Sequence, residues 1–267
     1  MSKLKAVFFD LDDTLLWDAK SVQEAFEATC QYAAQKHPLS PTALEKAVRQ
    51  AARELYETYD TYPFTQMIGI NPFEGLWGEF KSNKLDGFKR LREIVPHYRR
   101  EAWTAGLKSL GIDDPELGQQ LGERFPLERR KRSIVYSDTY KVLDELKQHY
   151  RLLLLTNGSP DLQREKLAME PKLAPYFEQI IISGEFGKGK PDPAIFHYAL
   201  EKMQLQSNEA MMVGDKLSTD ILGSHRIGMK NVWINRDNQP PRPELVRPDF
   251  EISTLSELLN LIQSIAS

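Results

Sequence analysis

Short apolar runs recur in two parts of the chain and predict the strands of a sheet. They occupy residues 6–9, 152–155, 180–182, 211–213 and 232–234. Apolar runs this short, each followed by polar or turn residues, are typical of strands that are buried on both faces of a parallel sheet. Segments with helical periodicity separate the later runs, as at Ile195, Ala199 and Met203. The alternation of strands and helices predicts a doubly wound parallel-sheet α/β domain.

Residues 18–133 carry a different pattern and predict a second domain. Apolar positions there recur at helical spacing, and no segment has a strong strand pattern. We therefore expect an all-helical domain that is inserted directly after the first strand. Residues 1–17 and 134–267 then form the α/β domain, which the insertion interrupts.

Capping residues predict where individual helices begin and end. Ser21 and Glu24 have the spacing of a capping box, which predicts a helix that begins at Ser21. Ser40, followed by a proline, predicts the start of the next helix. Gly111 predicts the end of a later helix, because glycine readily adopts the left-handed conformation that ends many helices.

Composition limits the classes of function. The chain has 267 residues, of which 41% are hydrophobic and 27% are charged, values that are typical of globular proteins. The formal net charge of −3 gives no general attraction to nucleic acids or anionic membranes. The single cysteine, Cys30, cannot form an internal disulfide, and no apolar run is long enough for a signal peptide or a membrane span. We expect a cytoplasmic protein with neither nucleic-acid nor membrane partners; the oligomeric state stays open.

Polar residues that follow the predicted strands share one edge of the sheet. In an open parallel sheet, ligands bind outside the carboxyl ends of the strands, so these residues are the candidates for chemistry. They are Asp10, Asp12, Asp13, Thr14, Thr156, Asn157, Gly158, Asp215 and Asp220. Lys190 lies in a loop that precedes a predicted helix beginning at Pro193. Acids, a hydroxyl group and a lysine are therefore predicted to converge there, although Asp220 could instead cap a helix.

These residue types suit phosphoryl transfer. A shared divalent cation would offset the repulsion among Asp10, Asp12 and Asp215, and oxygen-only ligands favour Mg²⁺. Asp10, at the tip of its strand, is the candidate nucleophile toward phosphorus. Asp12 is the candidate acid that protonates the leaving oxygen and then the base that deprotonates water. Lys190 and Thr156, with nearby backbone N–H groups, are candidates for binding the phosphate oxygens.

Four segments resemble the motifs of the haloacid dehalogenase-like hydrolase superfamily. They are DLDDT at 10–14, TNG at 156–158, KPDP at 190–193 and GDKLSTD at 214–220. The helical insertion resembles the cap of that superfamily's subfamily I. RLLLLTNG with QREK at 163–166, and VWIN at 232–235, look similar to the N-acylneuraminate 9-phosphatase branch and its bacterial relatives.

The resemblance implies a Rossmann-like core and a Mg²⁺-dependent phosphatase that forms an aspartyl-phosphate intermediate on a small phosphorylated metabolite. It implies Asp10 as the nucleophile, Asp12 as the acid and base, and Asp215 as a metal ligand with both of them. The residues that it implies for phosphate binding are Thr156, Asn157, Gly158 and Lys190. Asp220 would support the site from behind. Within the insertion the resemblance is thin, so it implies no individual substrate.

Alternative functions stay open at this point. The same scaffold supports dehalogenation, but a carbon–halogen bond needs no acid for its leaving group, and Asp12 therefore favours a phosphate ester. A phosphomutase is a second alternative, and a non-catalytic binding or regulatory protein is a third. Residues 58–80, which are rich in aromatic side chains, predict either a loop packed between helices or a segment that selects the leaving group. Trp17 is a further candidate for contact with substrate.

Overall fold

One parallel sheet contains the six strands that the computed structural model shows in its described residues, 4–240, 242 and 244–266. The strands are β1 (Ala6–Phe9), β2 (Arg151–Thr156), β3 (Gln179–Ile182), β4 (Ala210–Gly214), β5 (Lys230–Ile234) and β6 (Phe250–Ile252). Their order across the sheet is β3-β2-β1-β4-β5-β6. Five strands correspond to the predicted apolar runs, and the predicted doubly wound α/β class is confirmed. β6 was not predicted, because an edge strand with an exposed Glu251 lacks a continuous apolar run.

The register of the central strands brings their carboxyl ends to the same edge. Phe9, the last residue of β1, lies opposite Leu154 of β2 and Val213 of β4. The residues that follow these strands are therefore neighbours, although they are far apart in the chain. The backbone N–H of Asp10 donates to the carbonyl of Val213 over 3.0 Å, which fixes the tip of β1 against β4.

Helices account for most of the described residues outside the strands. They are α1 (Asp18–Ala34), α2 (Pro41–Thr58), α3 (Tyr62–Ile68), α4 (Pro72–Gly75), α5 (Asp86–Ser109), α6 (Pro115–Arg130), α7 (Thr139–Leu146), α8 (Pro160–Met169), α9 (Ser183–Phe186), α10 (Pro193–Met203), α11 (Leu222–Arg226) and α12 (Glu257–Ala266). A π-helical turn, Leu217–Ile221, precedes α11. No described helix combines the length and the hydropathy that a membrane span requires.

The chain divides into two compact units. The first contains the described residues up to Trp17, Val135–Gly158 and those from Glu170 onward, and it holds the sheet. The second contains Asp18–Ile134 together with Ser159–Met169, and it is helical.

Helix α8 is the part of the division that the sequence did not predict. Its residues fall within 134–267, yet α8 groups with the second unit. The reason is packing: Leu162 is fully buried in the same apolar cluster as Phe26 and Trp103. The Lys166 ammonium of α8 also lies 3.1 Å from Glu74 of α4. Patterns along α8 could not show which partner its apolar face would choose.

The predicted helix boundaries have mixed outcomes. The Ser40 side chain accepts a hydrogen bond from the N–H of Ala43 and caps α2, as predicted. Gly111 has a left-handed φ of 79° just after α5, also as predicted. The predicted start at Ser21 is wrong, because α1 begins at Asp18 and Ser21 is buried within it.

Candidate active site

Asp10 and Lys190 form an ion pair at the carboxyl edge of the sheet. Lys190 Nζ lies 2.6 Å from Asp10 Oδ1 and 2.6 Å from Asp220 Oδ1. It also donates to the carbonyl of Leu155 over 2.6 Å. The Lys190 side chain is 1% exposed, so the ammonium is held away from solvent by these partners. The predicted convergence of Asp10, Lys190 and Asp220 is therefore present in the fold.

Three carboxylates could hold a metal ion at this edge. Asp10, Asp215 and Asp220 each offer one oxygen, and these oxygens all lie within 4.8 Å of one another. Oxygen-only donors of this kind match the ligands that Mg²⁺ prefers in proteins. Asp12, which was also predicted to be a ligand, is not a member of this group, and Asp220, which was predicted to support the site, is.

The carboxyl groups of Asp10 and Asp215 have raised pKa values. Burial raises the pKa of the Asp10 carboxyl, and the charge of Asp220 raises it too, against the lowering effect of Lys190. Burial and then the charge of Asp10 raise the pKa of Asp215 well above its ordinary value. Burial lowers the pKa of Lys190, but Asp10 and Asp220 raise it by more. A bound cation would relieve the repulsion that raises the carboxyl pKa values.

Thr14 connects two of the carboxylates. Its hydroxyl lies 3.5 Å from Asp10 Oδ2 and 3.4 Å from Asp215 Oδ1. The loop that carries Thr14 turns sharply at Asp13, which has a left-handed φ of 60° and donates its backbone N–H to the carbonyl of Leu16. Aspartate tolerates this conformation better than most side chains do, and such backbone strain is typical of functional sites.

Asn157 holds the loop that carries Lys190. Its Nδ2 donates to the Lys190 carbonyl over 2.9 Å, and its Oδ1 accepts from the Lys190 backbone N–H over 2.8 Å. The amide side chain thus pairs with the backbone on both sides of one residue and fixes where the Lys190 side chain begins. Its predicted contact with phosphate stays a prediction.

Thr156 and Gly158 flank Asn157 at the end of β2. Thr156 is buried, and its hydroxyl donates to the Asn157 carbonyl over 3.4 Å. The Gly158 N–H donates to Ser183 Oγ over 2.9 Å, so Gly158 joins the ends of β2 and β3. Phosphate binding by these residues stays a prediction. Ser183 was not predicted, although it directly follows the apolar run 180–182 and the strand-end rule would have selected it.

Asp220 sits directly against the backbone of β4. A Cβ atom at Gly214 would lie 2.4 Å from Asp220 Cγ, so only glycine leaves room for the carboxylate there. Asp220 Oδ2 accepts the backbone N–H of Lys216 over 3.1 Å, while Oδ1 faces Lys190. Asp220 therefore pairs with Lys190 and closes the loop after β4, and its predicted supporting role stays a prediction.

The remaining acids of the first motif lie farther along the same loop. Asp12 is half-buried and its backbone pairs with that of Leu16. The charge of Asp13 is among the causes that raise the pKa of Asp215, after burial and the charge of Asp10. The role of Asp12 as acid and base stays a prediction.

Two side chains near the end of β5 also reach this site. Trp233 Nε1 donates to the carbonyl of Asp215 over 2.8 Å. Arg236 Nη2 donates to the carbonyl of Thr14 over 3.1 Å. Neither residue was predicted. Arg236 lies just beyond the apolar run 232–234, so the strand-end rule again held a usable signal, whereas Trp233 within the strand had none.

Residues 58–80 contain two short helices that are joined and followed by turns. Helices α3 and α4 occupy much of this segment, and its apolar side chains Ile68, Leu76, Trp77 and Phe80 are buried. Packing therefore explains most of its aromatic content. Trp17 is 42% exposed and stacks on Tyr136, with ring centroids 5.2 Å apart.

Comparison with known proteins identifies the family to which the chain belongs. The sequence model of the haloacid dehalogenase-like hydrolases matches residues 4–228. The phosphoserine phosphatase of Thermus thermophilus is 34% identical over 96% of this chain and 98% of its own length. The N-acylneuraminate-9-phosphatase of Mus musculus is 28% identical over 99% of this chain and 96% of its own. The glyceraldehyde 3-phosphate phosphatase of Methanopyrus kandleri is 29% identical over 98% and 99%, respectively.

Solved structures confirm the fold. The HAD-hydrolase YfnB of Bacillus subtilis superposes with a TM-score of 0.66 at 24% identity, over 98% of this chain and 99% of the other. A 2-haloacid dehalogenase of Pseudomonas syringae gives a TM-score of 0.59, also at 24% identity, over 98% and 100%. At this level of identity the likeness concerns the fold alone.

Proposed function

The chain belongs to the haloacid dehalogenase-like hydrolase family, and from that premise we propose that it is a Mg²⁺-dependent phosphatase of small phosphomonoesters. The observation that carries the proposal is the buried Asp10 at the tip of β1, paired with Lys190 and grouped with Asp215 and Asp220. A carboxylate nucleophile, a buried ammonium and a metal-binding group of acids are what phosphoryl transfer requires.

Asp10 and Asp12 divide the chemistry between them. A carboxylate oxygen of Asp10 attacks phosphorus, the bond from phosphorus to the ester oxygen breaks, and Asp12 gives its proton to that leaving oxygen. Asp12 then takes a proton from water, which attacks the aspartyl phosphate and releases phosphate as the bond to Asp10 breaks. The first step leaves Asp12 ionised and the second step returns its proton, so the complete cycle restores the starting protonation state of the enzyme.

Lys190 and the cation balance the charge of the phosphate group. Lys190, held by Asp10 and Asp220, presents a fixed ammonium beside the nucleophile. Asp10 and Asp215, with Asp220 beside them, would hold Mg²⁺, which supplies positive charge to the phosphate oxygens when bound. Burial is the first cause of the raised pKa values of Asp10 and Asp215. A bound cation would lower these pKa values, because it favours the ionised carboxylates.

Hydrolysis of a phosphate ester is favoured over dehalogenation by two observations. The three relatives compared above carry phosphatase names at 34%, 28% and 29% identity, whereas the 2-haloacid dehalogenase is similar at the level of fold. Asp12 supplies an acid that a halide leaving group does not need. The three relatives act, by their names, on three different phosphomonoesters, so the class of substrate is proposed and not one compound.

Phosphate release from a panel of phosphomonoesters tests the proposal. The panel contains phosphoserine, N-acetylneuraminate 9-phosphate, glyceraldehyde 3-phosphate, nucleotides, sugar phosphates and p-nitrophenyl phosphate, each with Mg²⁺ and with EDTA. We expect Mg²⁺-dependent release, with a preferred member among the small metabolites. Absence of release from every member would contradict the proposal.

The Asp10→Asn variant tests the nucleophile. The amide keeps the shape of the side chain but cannot form the acyl phosphate, so we expect turnover to fall by at least about 10³-fold. Rapid acid quenching of the wild-type enzyme should trap phosphate on the protein, and the variant should trap none. Residual turnover above a few per cent, with normal folding, would exclude Asp10 as the nucleophile.

A further inference from the structure

The carboxyl end of β5 contributes hydrogen-bond donors to the two loops that carry the candidate acids. Trp233 reaches the backbone carbonyl of Asp215 over 2.8 Å, and Arg236 reaches the backbone carbonyl of Thr14 over 3.1 Å. Asp215 follows β4, whereas Thr14 belongs to the loop after β1. One strand end thus donates hydrogen bonds to both acidic loops.

We propose that Trp233 and Arg236 are positioning residues for phosphoryl transfer. They fix the backbone of the acidic loops so that the Thr14 hydroxyl lies between Asp10 and Asp215 and the Asp215 carboxylate stays grouped with the other acids that would hold the cation. The inference rests on the proposed function for its chemical meaning. Its structural content, the coupling of these side chains to the geometry of Asp10 and Asp215, is measurable separately.

Three groups contact the guanidinium of Arg236: the Thr14 carbonyl, the Asp138 carboxylate and the Tyr136 ring. Its Nη2 lies 3.4 Å from Asp138 Oδ1, and the guanidinium carbon lies 3.6 Å from the centroid of the Tyr136 ring. Asp138 is itself fixed, because its Oδ2 accepts the backbone N–H of Leu255 over 2.7 Å. A side chain that is anchored in this way presents its donor to Thr14 with little loss of side-chain entropy on forming the bond.

Thr14 transmits this restraint to the reacting group. The Thr14 backbone is held at its carbonyl by Arg236, while its hydroxyl lies 3.5 Å from Asp10 Oδ2 and 3.4 Å from Asp215 Oδ1. A shift of the carbonyl would move the hydroxyl with it, since both belong to one residue. Such a shift would release the orientation of the nucleophile.

Trp233 restrains the second loop. Its side chain is nearly buried, packed with Leu217, Ile221 and Val246. The indole can donate one hydrogen bond, and that bond goes to the carbonyl of Asp215. Partners behind the ligands of a metal site typically change metal affinity or activity by about 10–100-fold when they are removed.

Variants of Arg236 give the first test. We expect Arg236→Leu to lower kcat for p-nitrophenyl phosphate by about 10–100-fold with a smaller change in KM, because nucleophile orientation is affected more than binding. Arg236→Lys should recover part of kcat, since an ammonium can still donate to the Thr14 carbonyl. Arg247→Leu, which removes an exposed arginine of the same unit, is the matched control and should retain wild-type kinetics.

A double-mutant cycle identifies the path of the effect. Thr14→Val removes the hydroxyl but keeps the shape of the side chain. If Arg236 acts through that hydroxyl, Arg236→Leu should cost much less in the Thr14→Val background than in the wild type. An additive cycle, or wild-type kcat in Arg236→Leu, would overturn the role of Arg236. If Arg236→Leu does not fold, Trp233→Phe carries the test, since it keeps the ring and removes the donor.

Direct Mg²⁺ binding separates this inference from the proposed function. We expect calorimetric titration with MgCl₂ to give a dissociation constant about 10-fold weaker for Trp233→Phe than for the wild type. A wild-type protein that binds Mg²⁺ but hydrolyses nothing would contradict the proposed function, and weakened binding in the variant would still support positioning. Unchanged Mg²⁺ affinity and unchanged kcat in Trp233→Phe would overturn the role of Trp233 while leaving the phosphatase proposal intact.

Discussion

Two buried lysines, one in each unit, have nearly the same surroundings and different consequences. Lys190 of the first unit and Lys166 of the second are both 1% exposed in their side chains, and each lies between two carboxylates. Lys190 contacts Asp10 and Asp220 at 2.6 Å. Lys166 contacts Glu74 at 3.1 Å and Asp18 at 3.6 Å.

The difference lies in the neighbouring charges. Asp18 also pairs with the buried Arg129, so the second cluster contains two acids and two bases and is balanced. In the first cluster an oxygen of Asp215 lies within 4.8 Å of oxygens of both acids. Lys216 also lowers the pKa values of Asp10 and Asp215, but three acids still outnumber the two lysines. A buried lysine–carboxylate contact therefore does not by itself indicate an active site. An excess of negative charge at the ends of the strands distinguishes the first cluster, because it favours a bound cation.

Separate substitution of the two lysines should show the difference most strongly: Lys190 should matter for turnover and Lys166 for stability. Lys190→Met removes the fixed charge beside the nucleophile, and we expect kcat to fall by about 10²–10³-fold. Lys166→Met leaves Glu74 and Asp18 buried with too little positive charge, so we expect a loss of about 3–5 kcal/mol in the free energy of unfolding. Turnover per folded molecule should stay within about twofold of the wild type in that variant.

Steady-state kinetics with thermal unfolding followed by circular dichroism would check both lysine variants. The contrast fails if Lys166→Met loses turnover while it keeps its melting temperature, because Lys166 would then act in catalysis. It also fails if Lys190→Met retains turnover, because the ammonium would then be structural in both units.

Two glycine substitutions, one in each unit, should separate catalysis from stability by a smaller amount than the two lysine substitutions do. In Gly214→Ala the new Cβ would lie 2.4 Å from Asp220 Cγ, so the carboxylate that orients Lys190 must move. In Gly118→Ala the new Cβ would lie 2.2 Å from Thr104 Oγ1, within the second unit. Overpacking of either kind costs about 1–3 kcal/mol in the free energy of unfolding.

We expect only Gly214→Ala to lose turnover as well, by about 10-fold, because only there does the displaced group orient a candidate catalytic side chain. Melting temperatures and kcat values of both variants check this prediction. Equal turnover in the two variants would mean that the position of the Asp220 side chain against β4 does not affect the reaction.

The pH dependence of stability should be opposite in the two units. Burial and the charge of Asp10 raise the pKa of Asp215 above its ordinary value of 3.8. A raised carboxyl pKa means that the folded state binds protons more tightly, so this contribution to stability is lost as pH rises above about 4. In EDTA at pH 7.5, Asp215→Asn should therefore melt above the wild type, and the difference should shrink toward pH 4.

Glu128 in the second unit should behave in the reverse way. Burial raises the pKa of Glu128, but hydrogen bonds from Arg132 and Lys131 lower it by a larger amount. The net shift of the pKa is therefore downward from 4.5. Its contribution is present above that pH and lost as pH falls through the lowered value. Glu128→Gln should thus melt below the wild type at pH 7.5 and approach it in acid.

Melting temperatures from about pH 2.5 to 8 would measure both effects, at roughly 2–4 °C for each kcal/mol. Addition of Mg²⁺ should raise the wild type above Asp215→Asn, because a ligand stabilises the folded state that binds it. Absence of both the EDTA difference and its reversal by Mg²⁺ would show that Asp215 neither repels its neighbours nor binds the ion.

Much of the site was predictable, because strand ends can be read from the chain. Asp10, Thr156 and Asp215 each follow an apolar run, and the parallel sheet brings them to one edge. The same rule applied to the other runs would have selected Ser183 and Arg236. It could not have found the pairing of Lys166 with Glu74, which are 92 residues apart and lie in helices rather than at strand ends. Nor could it show that Asn157 binds the Lys190 backbone rather than forming an ordinary Asn-Gly turn.

The sequence by itself determined the class of fold, the helical nature of the insertion and most of the candidate chemistry. These follow from local patterns, since the spacing of apolar residues records which faces are buried. Only the tertiary structure decided that α8 joins the second unit, that Asp220 rather than Asp12 completes the carboxylate group, and that β5 supports the acidic loops. Asp10 and Lys190 meet across 180 residues of chain. Contacts at such distances depend on how whole elements pack, which no local pattern encodes.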